Sequence, residues 1–315
     1  MVSITKKKIK GKEYLYNEHS FRFPDGRVKK ISMLVKEKKN SKELRSFFIE
    51  KQIKDYQKYA LENYKIDTIF TKEQLEKLEK LRVEYKEIMQ RLTKNQVKDI
   101  LDRFTVNFTY ETNSIEGNSL TLKDVTLILK ENRLPKNKDL REIYETRNTR
   151  RAHELLFEKK IKINLKNILE IQKIVVKDTD IAPGLKQVPN YLTMRNLKTT
   201  PPEKVEKELT KLINWYKENK DKIHPLRLAT KFHAKFEAIH PFDDGNGRTG
   251  RILLNAILLE NGYPPLIIRK TARIAYFSGL EAFDNGYEGK LERFLLDKIE
   301  NTFKNFFEAY VKYLE

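Results

Sequence analysis

Apolar residues recur every three or four positions from Ser41 almost to the end of this 315-residue chain. The segment 41–64 opens with serine and the segment 71–92 opens Thr-x-x-Gln, which is typical of a helix N-terminus. A third helix is expected from about Lys94 to Glu116, because Gly117 then stands where glycine commonly ends a helix. This spacing predicts a mainly α protein.

Two segments lack the helical spacing, one before Ser41 and one in the middle of the chain. Residues 12–36 alternate apolar and polar side chains around "FPDGR", and Asp-Gly between two such runs predicts an N-terminal β-hairpin. Residues 178–202 contain four prolines and a short β-like "NYLTM", which predicts a loop or a small hairpin. The expected domains are therefore an N-terminal hairpin and helical region, residues 1–95, and a helical domain, residues 96–315.

Composition excludes several classes of protein. Hydrophobic residues make up 39% of the chain and charged residues 35%, as in a soluble globular protein. The sequence has no apolar run long enough for a membrane span, and its basic N-terminus lacks the apolar core of a secretion signal. It has no cysteine, which excludes disulfides and thiolate metal sites. A cytoplasmic location is therefore expected.

The net charge of +19 raises the question of a nucleic-acid partner. Residues 1–40 contain 12 Lys/Arg against 4 Asp/Glu, so part of the excess lies at the start of the chain. The alternative is that a lysine-rich composition reflects the organism, since scattered lysines attract any anion, including ATP or an acidic protein. We favour this alternative and do not expect a nucleic-acid partner.

The stretch "HPFDDGNGRTGR", residues 240–251, concentrates polar and flexible residues between two helical segments. A helix that begins after it would present unpaired N–H groups and a partial positive charge, which attract phosphate. Gly245 and Gly247 leave the backbone open to an anion, and Arg248 and Arg251 lie on one face of that helix.

The same stretch supplies a metal ligand and a base. Asp243 or Asp244 offers hard oxygen atoms for Mg²⁺, and His240 is of a type that titrates near neutral pH. Each feature has an ordinary explanation, such as a turn, a surface arginine or a structural histidine. Their combination in this order favours a nucleoside triphosphate site and a phosphoryl- or nucleotidyl-transfer enzyme.

The stretch resembles the signature of the Fic (Fido) family, His-x-Phe-x-Asp/Glu-Gly-Asn-Gly-Arg-x-x-Arg, at every specified position. The similarity is expected to extend from about Leu101 to Phe307. The resemblance implies a Fic-type helical bundle with a small β-hairpin flap, beside the N-terminal β-hairpin and helices. It further implies transfer of AMP from the co-substrate ATP to a Ser, Thr or Tyr hydroxyl of a target protein, with release of pyrophosphate.

The resemblance also implies a role for each residue of the signature. His240 would take the proton from the target hydroxyl, Phe242 would anchor the loop, and Asp244 would hold Mg²⁺. The phosphates of ATP would be bound by five further residues, namely Gly245, Asn246, Gly247, Arg248 and Arg251.

A second motif, "TNSIEG" at 112–117, resembles the inhibitory helix of this family, Ser/Thr-x-x-x-Glu-Gly/Asn. The resemblance implies an N-terminal inhibitory helix around 105–117, in which Glu116 pairs with Arg251 and Thr112 belongs to the same motif. The Glu116 carboxylate would then pair with the Arg251 guanidinium, which the γ-phosphate of ATP needs. The alternative is that Glu116 and Gly117 merely end a helix.

The segment "PGLKQVPNYLTM", 183–194, stands where the family has its flap, which binds a target peptide as an added strand. Many relatives have arginine where this chain has Gln187. Six residues outside the signature would contact ATP or the target, namely Tyr191, Leu192, Thr193, Met194, Tyr276 and Asp284. Asn285 is an alternative to Asp284 for the last of these contacts.

Three alternatives stay open at this stage. The same fold could remove AMP from modified proteins, or could transfer another nucleotide or phosphate-linked group. The protein could instead be a basic nucleic-acid-binding regulator. His233 and His240 could suggest a two-histidine metal site, although a packed structural histidine is favoured for His233. The expected partners are ATP and an unknown target protein, with self-modification and a homodimer as further expectations.

Overall fold

The computed structural model describes residues 3–35, 41–158, 160–192 and 197–314, and most of them are helical. By its internal contacts the chain divides into a first unit, residues 1–87, and a second unit, residues 88–315. The sequence placed the division after residue 95.

A three-stranded antiparallel sheet opens the first unit, with the strands in the order β1, β2, β3. They are β1 (Ser3–Ile9), β2 (Lys12–Arg22) and β3 (Val28–Leu34). The hairpin predicted around "FPDGR" is confirmed, since Arg22 pairs with Val28 across it. The strand β1 was not predicted. Its turn uses Lys10 and Gly11, at φ 49° and 80°, but lacks the asparagine that usually signals such a turn.

The remainder of the first unit is helical, as predicted. It consists of α1 (Ser41–Asn63) and the greater part of α2 (Lys72–Arg91). One face of the sheet packs on these helices through a core of five buried side chains, namely Phe21, Ile31, Phe48, Tyr56 and Val83. Alternation in the strands and three- to four-residue spacing in the helices therefore place the apolar residues in one core.

The second unit begins with the predicted third helix, α3 (Lys94–Ile115), which ends before Gly117 at φ 104°. The following helices are α4 (Leu122–Lys130), α5 (Leu140–Phe157), α6 (Leu165–Val175), α7 (Pro202–Asn219), α8 (Pro225–Ile239) and α9 (Asn246–Glu260). The last are α10 (Arg273–Asp284), α11 (Gly289–Thr302), a π-helical turn (Phe303–Glu308) and α12 (Ala309–Leu314). The mainly α fold predicted from the sequence is confirmed.

Helix α9 is the central helix of the second unit. Twelve of its fifteen residues are buried, which requires neighbours on every side. It packs most extensively against α8 and also contacts α3, α5 and α6. The N-terminus of α9 is therefore enclosed by elements that are far apart in the sequence.

The mid-chain segment forms a short antiparallel pair, β4 (Tyr191–Leu192) with β5 (Leu197–Lys198). Tyr191 pairs with Lys198, and its side chain is half exposed. The predicted hairpin is thus present, but two of the predicted flap contacts, Thr193 and Met194, lie outside the described residues. Within the described parts of the chain, no helix combines the length and apolarity that a membrane crossing demands.

Candidate active site at the N-terminus of α9

His240 ends α8 in a left-handed conformation, with φ 49° and ψ 64°. Its backbone N–H donates to the carbonyl of Phe236 over 3.0 Å, so the chain leaves the helix in a single residue. This conformation costs a residue with a Cβ about 1–2 kcal/mol. His240 therefore ends α8 and begins the 240–251 loop.

Asn246 closes the loop by bonding both ways with Phe242. Its side-chain oxygen accepts from the Phe242 N–H over 2.9 Å, and its amide nitrogen donates to the Phe242 carbonyl over 2.8 Å. The Phe242 ring is fully buried, as expected of an anchor. The structure thus shows Asn246 shaping the loop, which sequence reasoning missed, while its predicted contact with phosphate stays a prediction.

Gly245 lies at the N-cap of α9 with φ 83°, a conformation that favours glycine. A Cβ there would lie 3.1 Å from Val175 Cγ1 at the end of α6, so the position is tight as well as strained. Within the described residues, this N-cap makes no side-chain hydrogen bond to the helix. The first turn of α9 therefore keeps the polarity that attracts an anion.

A carboxylate from α3 lies over that first turn. Glu116 Oε1 is 2.5 Å from Arg251 Nη2, and a Cβ at Gly247 would overlap the same oxygen. Only glycine at 247 lets Glu116 approach so closely. The predicted pairing of Glu116 with Arg251 is therefore present in the structure, and the carboxylate stands where an anionic ligand of α9 would lie.

Arg251 is 3% exposed and is held mainly by α3. Its Nε donates to Thr112 Oγ1 over 2.6 Å, and its Nη2 donates to the Thr112 carbonyl over 3.1 Å. Burial is the largest single influence and lowers the pKa of Arg251, but the nearby Glu116, Tyr276 and Glu237 together outweigh it and raise that pKa above its ordinary value. Its Nη1 has no hydrogen-bond partner in the described residues, although it is buried.

Tyr276 lies behind Arg251 and is fully buried. The guanidinium carbon of Arg251 is 5.9 Å from the centre of the Tyr276 ring. The Tyr276 hydroxyl is 2.7 Å from His233 Nε2. Burial raises the pKa of Tyr276 above its ordinary value, so it is a neutral hydroxyl. His233 is thus a packed structural histidine, as favoured from the sequence, whereas an adenine contact of Tyr276 stays a prediction.

Arg248 and Asp244 form an ion pair one turn apart at the start of α9. Arg248 Nη2 is 3.0 Å from Asp244 Oδ1, and Arg248 is 3% exposed. Two residues of α5 complete this group, Arg141 beside Asp244 and Glu145 beside Arg248. Sequence reasoning missed both, because nothing in the local pattern links α5 to a loop about a hundred residues later.

Two further buried residues, also missed, fasten the loop to the base of the flap. Lys186 Nζ donates to Asn190 Oδ1 over 2.8 Å and to Thr199 Oγ1 over 2.7 Å. Burial lowers the pKa of Lys186 to about 8, although the charge of Asp243 opposes this shift. Gln172 donates to the Asp244 carbonyl over 3.3 Å and accepts from the Gly184 N–H over 3.0 Å.

The other predicted residues are less closely tied to the loop. Asp284 is the last residue of α10 and is half-buried, while the side chain of Asn285 donates to the Glu281 carbonyl over 2.9 Å. Tyr191 and Leu192 form strand β4 of the flap, and both are at least partly exposed. The predicted contacts of these four residues with nucleotide or target stay predictions.

The donors present suit one divalent cation that is shared with phosphate. In the described ranges no three His, Asp or Glu side chains converge on a point that would bind a metal. Asp244 is a single carboxylate, 32% exposed, beside an anion site. Mg²⁺ usually binds through one or two carboxylates plus substrate phosphates and water, so this donor set fits Mg²⁺ that arrives with a nucleotide.

Residues 162–258 match the family model described as "Fic/DOC family". The chain is similar to proteins named "Protein adenylyltransferase Fic" from Nematostella vectensis, 30% identical over 198 residues, and from Drosophila ananassae, 32% identical over 197 residues. Each alignment covers 61% of this chain, but it covers only 46% and 40% of those relatives. This chain therefore matches less than half the length of either relative.

Two solved structures are similar in fold. A Fic domain-containing signalling protein from Bacteroides thetaiotaomicron is 25% identical, with a TM-score of 0.68 over 75% of this chain and 97% of that one. Fic-1 (residues 134–508) from C. elegans is 26% identical, with a TM-score of 0.66 over 76% of this chain and 72% of that one. The resemblance read from residues 240–251 is thus confirmed, since residues 162–258 match the Fic/DOC family model and the fold is similar to that of two Fic-domain structures.

Proposed function

We propose that this chain is an autoinhibited protein adenylyltransferase, which transfers AMP from ATP to a Ser, Thr or Tyr hydroxyl of a protein. One observation carries the proposal. The arginine at the end of the signature, Arg251, is buried at an anion site on α9, and the carboxylate of Glu116 fills that site. The names of the similar proteins support adenylyl transfer as the reaction.

In the proposed reaction, the oxygen of the target hydroxyl attacks the α-phosphorus of ATP while His240 accepts the proton of that hydroxyl. The bond between the α-phosphorus and the oxygen that bridges to the β-phosphate breaks, and pyrophosphate leaves. His240 suits this role because it begins the loop that leads into the first turn of α9, and because histidine is the commonest general base.

The first turn of α9 would bind the phosphates. The backbone N–H of Gly247, together with the buried guanidinium groups of Arg248 and Arg251, offers donors to an anion, while the Gly245 N–H donates to Asp244 Oδ1. Asp244 would hold Mg²⁺, which neutralises charge on the phosphates when it is bound. Arg248 and Arg251 are each 3% exposed and so are held in place before ATP arrives, which keeps their own reorganisation small.

Glu116 would inhibit the enzyme by competition. Its carboxylate occupies both Arg251 Nη2 and the space over Gly247, so a phosphate cannot use that donor while Glu116 remains. Glu116 lies at the end of α3, where its side chain is 36% exposed and can turn away without unfolding the helix. Activation therefore needs only a local change.

The test is transfer of label from α-³²P-ATP in the presence of Mg²⁺, to the protein itself and to lysate proteins. Three proteins are compared: wild type, Glu116→Gly, and Glu116→Gly/His240→Ala. We expect strong labelling only with Glu116→Gly, and mass spectrometry of that protein should find AMP on a hydroxyl side chain. ATP binding by Glu116→Gly without any labelling would refute adenylyl transfer.

A second arm separates transfer from removal of AMP. Wild type and Glu116→Gly are each given a previously adenylylated protein without ATP, and release of AMP is measured. Release by wild type alone would favour the alternative in which Glu116 orients water. A panel of other nucleoside triphosphates in the first arm tests the base that is transferred.

Three accompanying expectations belong to the same proposal. A cytoplasmic location is supported by the absence of cysteine from the sequence. Self-modification is checked directly by the mass spectrometry above. A homodimer is checked by light scattering of the purified protein.

A further inference from the structure

Four charged side chains of α5 and the 240–251 loop form a closed group, here called the charge ring: Arg141, Glu145, Arg248 and Asp244. Arg141 Nε is 3.4 Å from Glu145 Oε1, and Arg248 Nη1 is 3.6 Å from the same oxygen. Asp244 completes the ring through Arg248 Nη2 at 3.0 Å and Arg141 Nη2 at 3.3 Å. The ring contains two positive and two negative charges, so it is neutral as it stands.

The two oxygens of Asp244 have different surroundings. Oδ1 accepts from the Gly245 N–H over 2.5 Å and from Arg248, which is 3% exposed and therefore fixed. Oδ2 accepts from Arg141, which is 46% exposed. Arg141 is thus the most exposed member of the ring and the one that can move into solvent at least cost. The oxygen most easily made available to a metal is Oδ2.

Helix stability does not explain the arginine at position 141. Arg141 lies in the first turn of α5, where Asp139 accepts its backbone N–H over 2.8 Å as the N-cap. A positive side chain in the first turn opposes the helix dipole. Its i,i+4 partner Glu145 stands on the C-terminal side, which is the less favourable order. The contact with Asp244 is the remaining explanation for an arginine at position 141.

We propose that Arg141 is a positioning residue that occupies the metal-binding oxygen of Asp244 until Mg²⁺ and nucleotide arrive. The proposal rests on the proposed function, in which Asp244 holds the metal. A dication at Oδ2 would repel the guanidinium held beside it, so Mg²⁺ binding there favours a conformation in which Arg141 keeps only Glu145 as its partner. Arg141 therefore weakens metal binding, and it does so independently of Glu116, which acts on the phosphate side through Arg251.

The test measures metal affinity rather than activity. Free Mn²⁺ is followed by electron paramagnetic resonance during titration of the full chain, with α,β-methylene-ATP present, which cannot donate AMP. All proteins carry Glu116→Gly so that nucleotide binding is not blocked. The variants added to it are Arg141→Gln, Asp244→Asn and Arg147→Gln.

Arg147→Gln is the matched control for charge. Arg147 lies on the same helix and is exposed, and its Nη2 donates to Asn132 Oδ1 over 3.3 Å, away from Asp244. Both substitutions remove one positive charge from α5. Any effect of net charge on Mn²⁺ binding therefore appears in both variants, whereas release of Asp244 appears only in Arg141→Gln.

We expect Arg141→Gln to bind Mn²⁺ about two- to five-fold more tightly than Arg147→Gln, the range for loss of a half-exposed ion pair. Equal affinities, or weaker binding by Arg141→Gln, would overturn the inference. Asp244→Asn distinguishes the two failures. If it binds Mn²⁺ as tightly as its parent, the metal role of Asp244 is wrong and the inference falls with it. If it loses Mn²⁺ while the two arginine variants agree, only the inference is wrong.

Discussion

The pairing of Glu116 with Arg251 predicts that one substitution lowers stability and raises activity together. Glu116→Gln is the sharpest form of the test, because glutamine has the same shape and still places an oxygen over Gly247. It removes the charge and leaves α3 intact. Glu116→Gly would add a second effect, since glycine in helical conformation costs about 0.5–1 kcal/mol more than alanine.

The size of the effect follows from the contact. A hydrogen bond to a charged group contributes about 1.5–3 kcal/mol. Glu116 is 36% exposed, so water weakens the pair and about 1–2 kcal/mol is a reasonable contribution. Arg251 keeps both bonds to Thr112, at 2.6 and 3.1 Å, which limits the loss of stability to about 1 kcal/mol. For a unit of this size, the melting temperature should fall by about 2–4 °C.

The same contact opposes ATP. Glu116 must leave Arg251 before the γ-phosphate binds. Loss of this competing contact, which contributes about 1–2 kcal/mol, should therefore strengthen productive ATP binding by about 5- to 30-fold. Calorimetry with ATP and Mg²⁺ measures that gain, and label transfer measures the accompanying rise in rate. ATP should also raise the melting temperature of Glu116→Gln more than that of wild type, because a ligand stabilises only the state that it binds.

Glu131→Gln is the matched control. Glu131 follows α4 as its C-cap, just as Glu116 follows α3, but its carboxylate is 3.6 Å from Arg133 and remote from the α9 contacts described above. It should change neither ATP affinity nor label transfer. A fall in melting temperature for Glu116→Gln without tighter ATP binding would show that the pair merely ends a helix, and the reasoning would be refuted.

Three other substitutions test the surroundings of the site. Glu145→Gln should raise the KM for ATP in steady-state assays and destabilise by up to about 1 kcal/mol in urea, because Arg248 loses the more distant of its two carboxylate partners and keeps Asp244; an unchanged KM would contradict this. The pKa of Lys186 is about 8 when folded and higher when unfolded, so wild type should gain stability relative to Lys186→Met from about pH 8 to 10.5. Burial lowers the pKa of His153 to about 3, so wild type should lose stability relative to His153→Gln as pH falls from about 6.5 to 3. Urea unfolding across pH measures both, and parallel curves would refute them.

Local patterns predicted the helices of this protein well. The spacing of apolar residues and the glycine at position 117 placed α3 within one residue of its observed end. The pairing of Glu116 with Arg251 joins residues 135 apart, and it was found only because two separate motifs resembled one family. Without that resemblance, both residues would have looked like ordinary helix-terminal charges.

Contacts that no motif records could not be predicted. Arg141 and Asp244 lie 103 residues apart, and the tertiary packing of α5 on α9 brings them together. Lys186 looks like one of many surface lysines in a lysine-rich chain, yet it is 1% exposed. Periodicity reports which face of an element is buried, but not which polar group meets another across the core.

The protein's own side chains complement both ends of the proposed site. Glu116 is negative and contacts the arginine proposed to bind phosphate, while Arg141 is positive and contacts the carboxylate proposed to bind the metal. Each therefore carries the charge of the group it would yield to. Glu116 spares the buried guanidinium of Arg251 from lacking a charged partner, which would be costly, and Arg141 gives the partly exposed carboxylate of Asp244 a second one. A nucleotide and its metal bring the same two charges together, so they can replace both contacts without leaving either residue uncompensated.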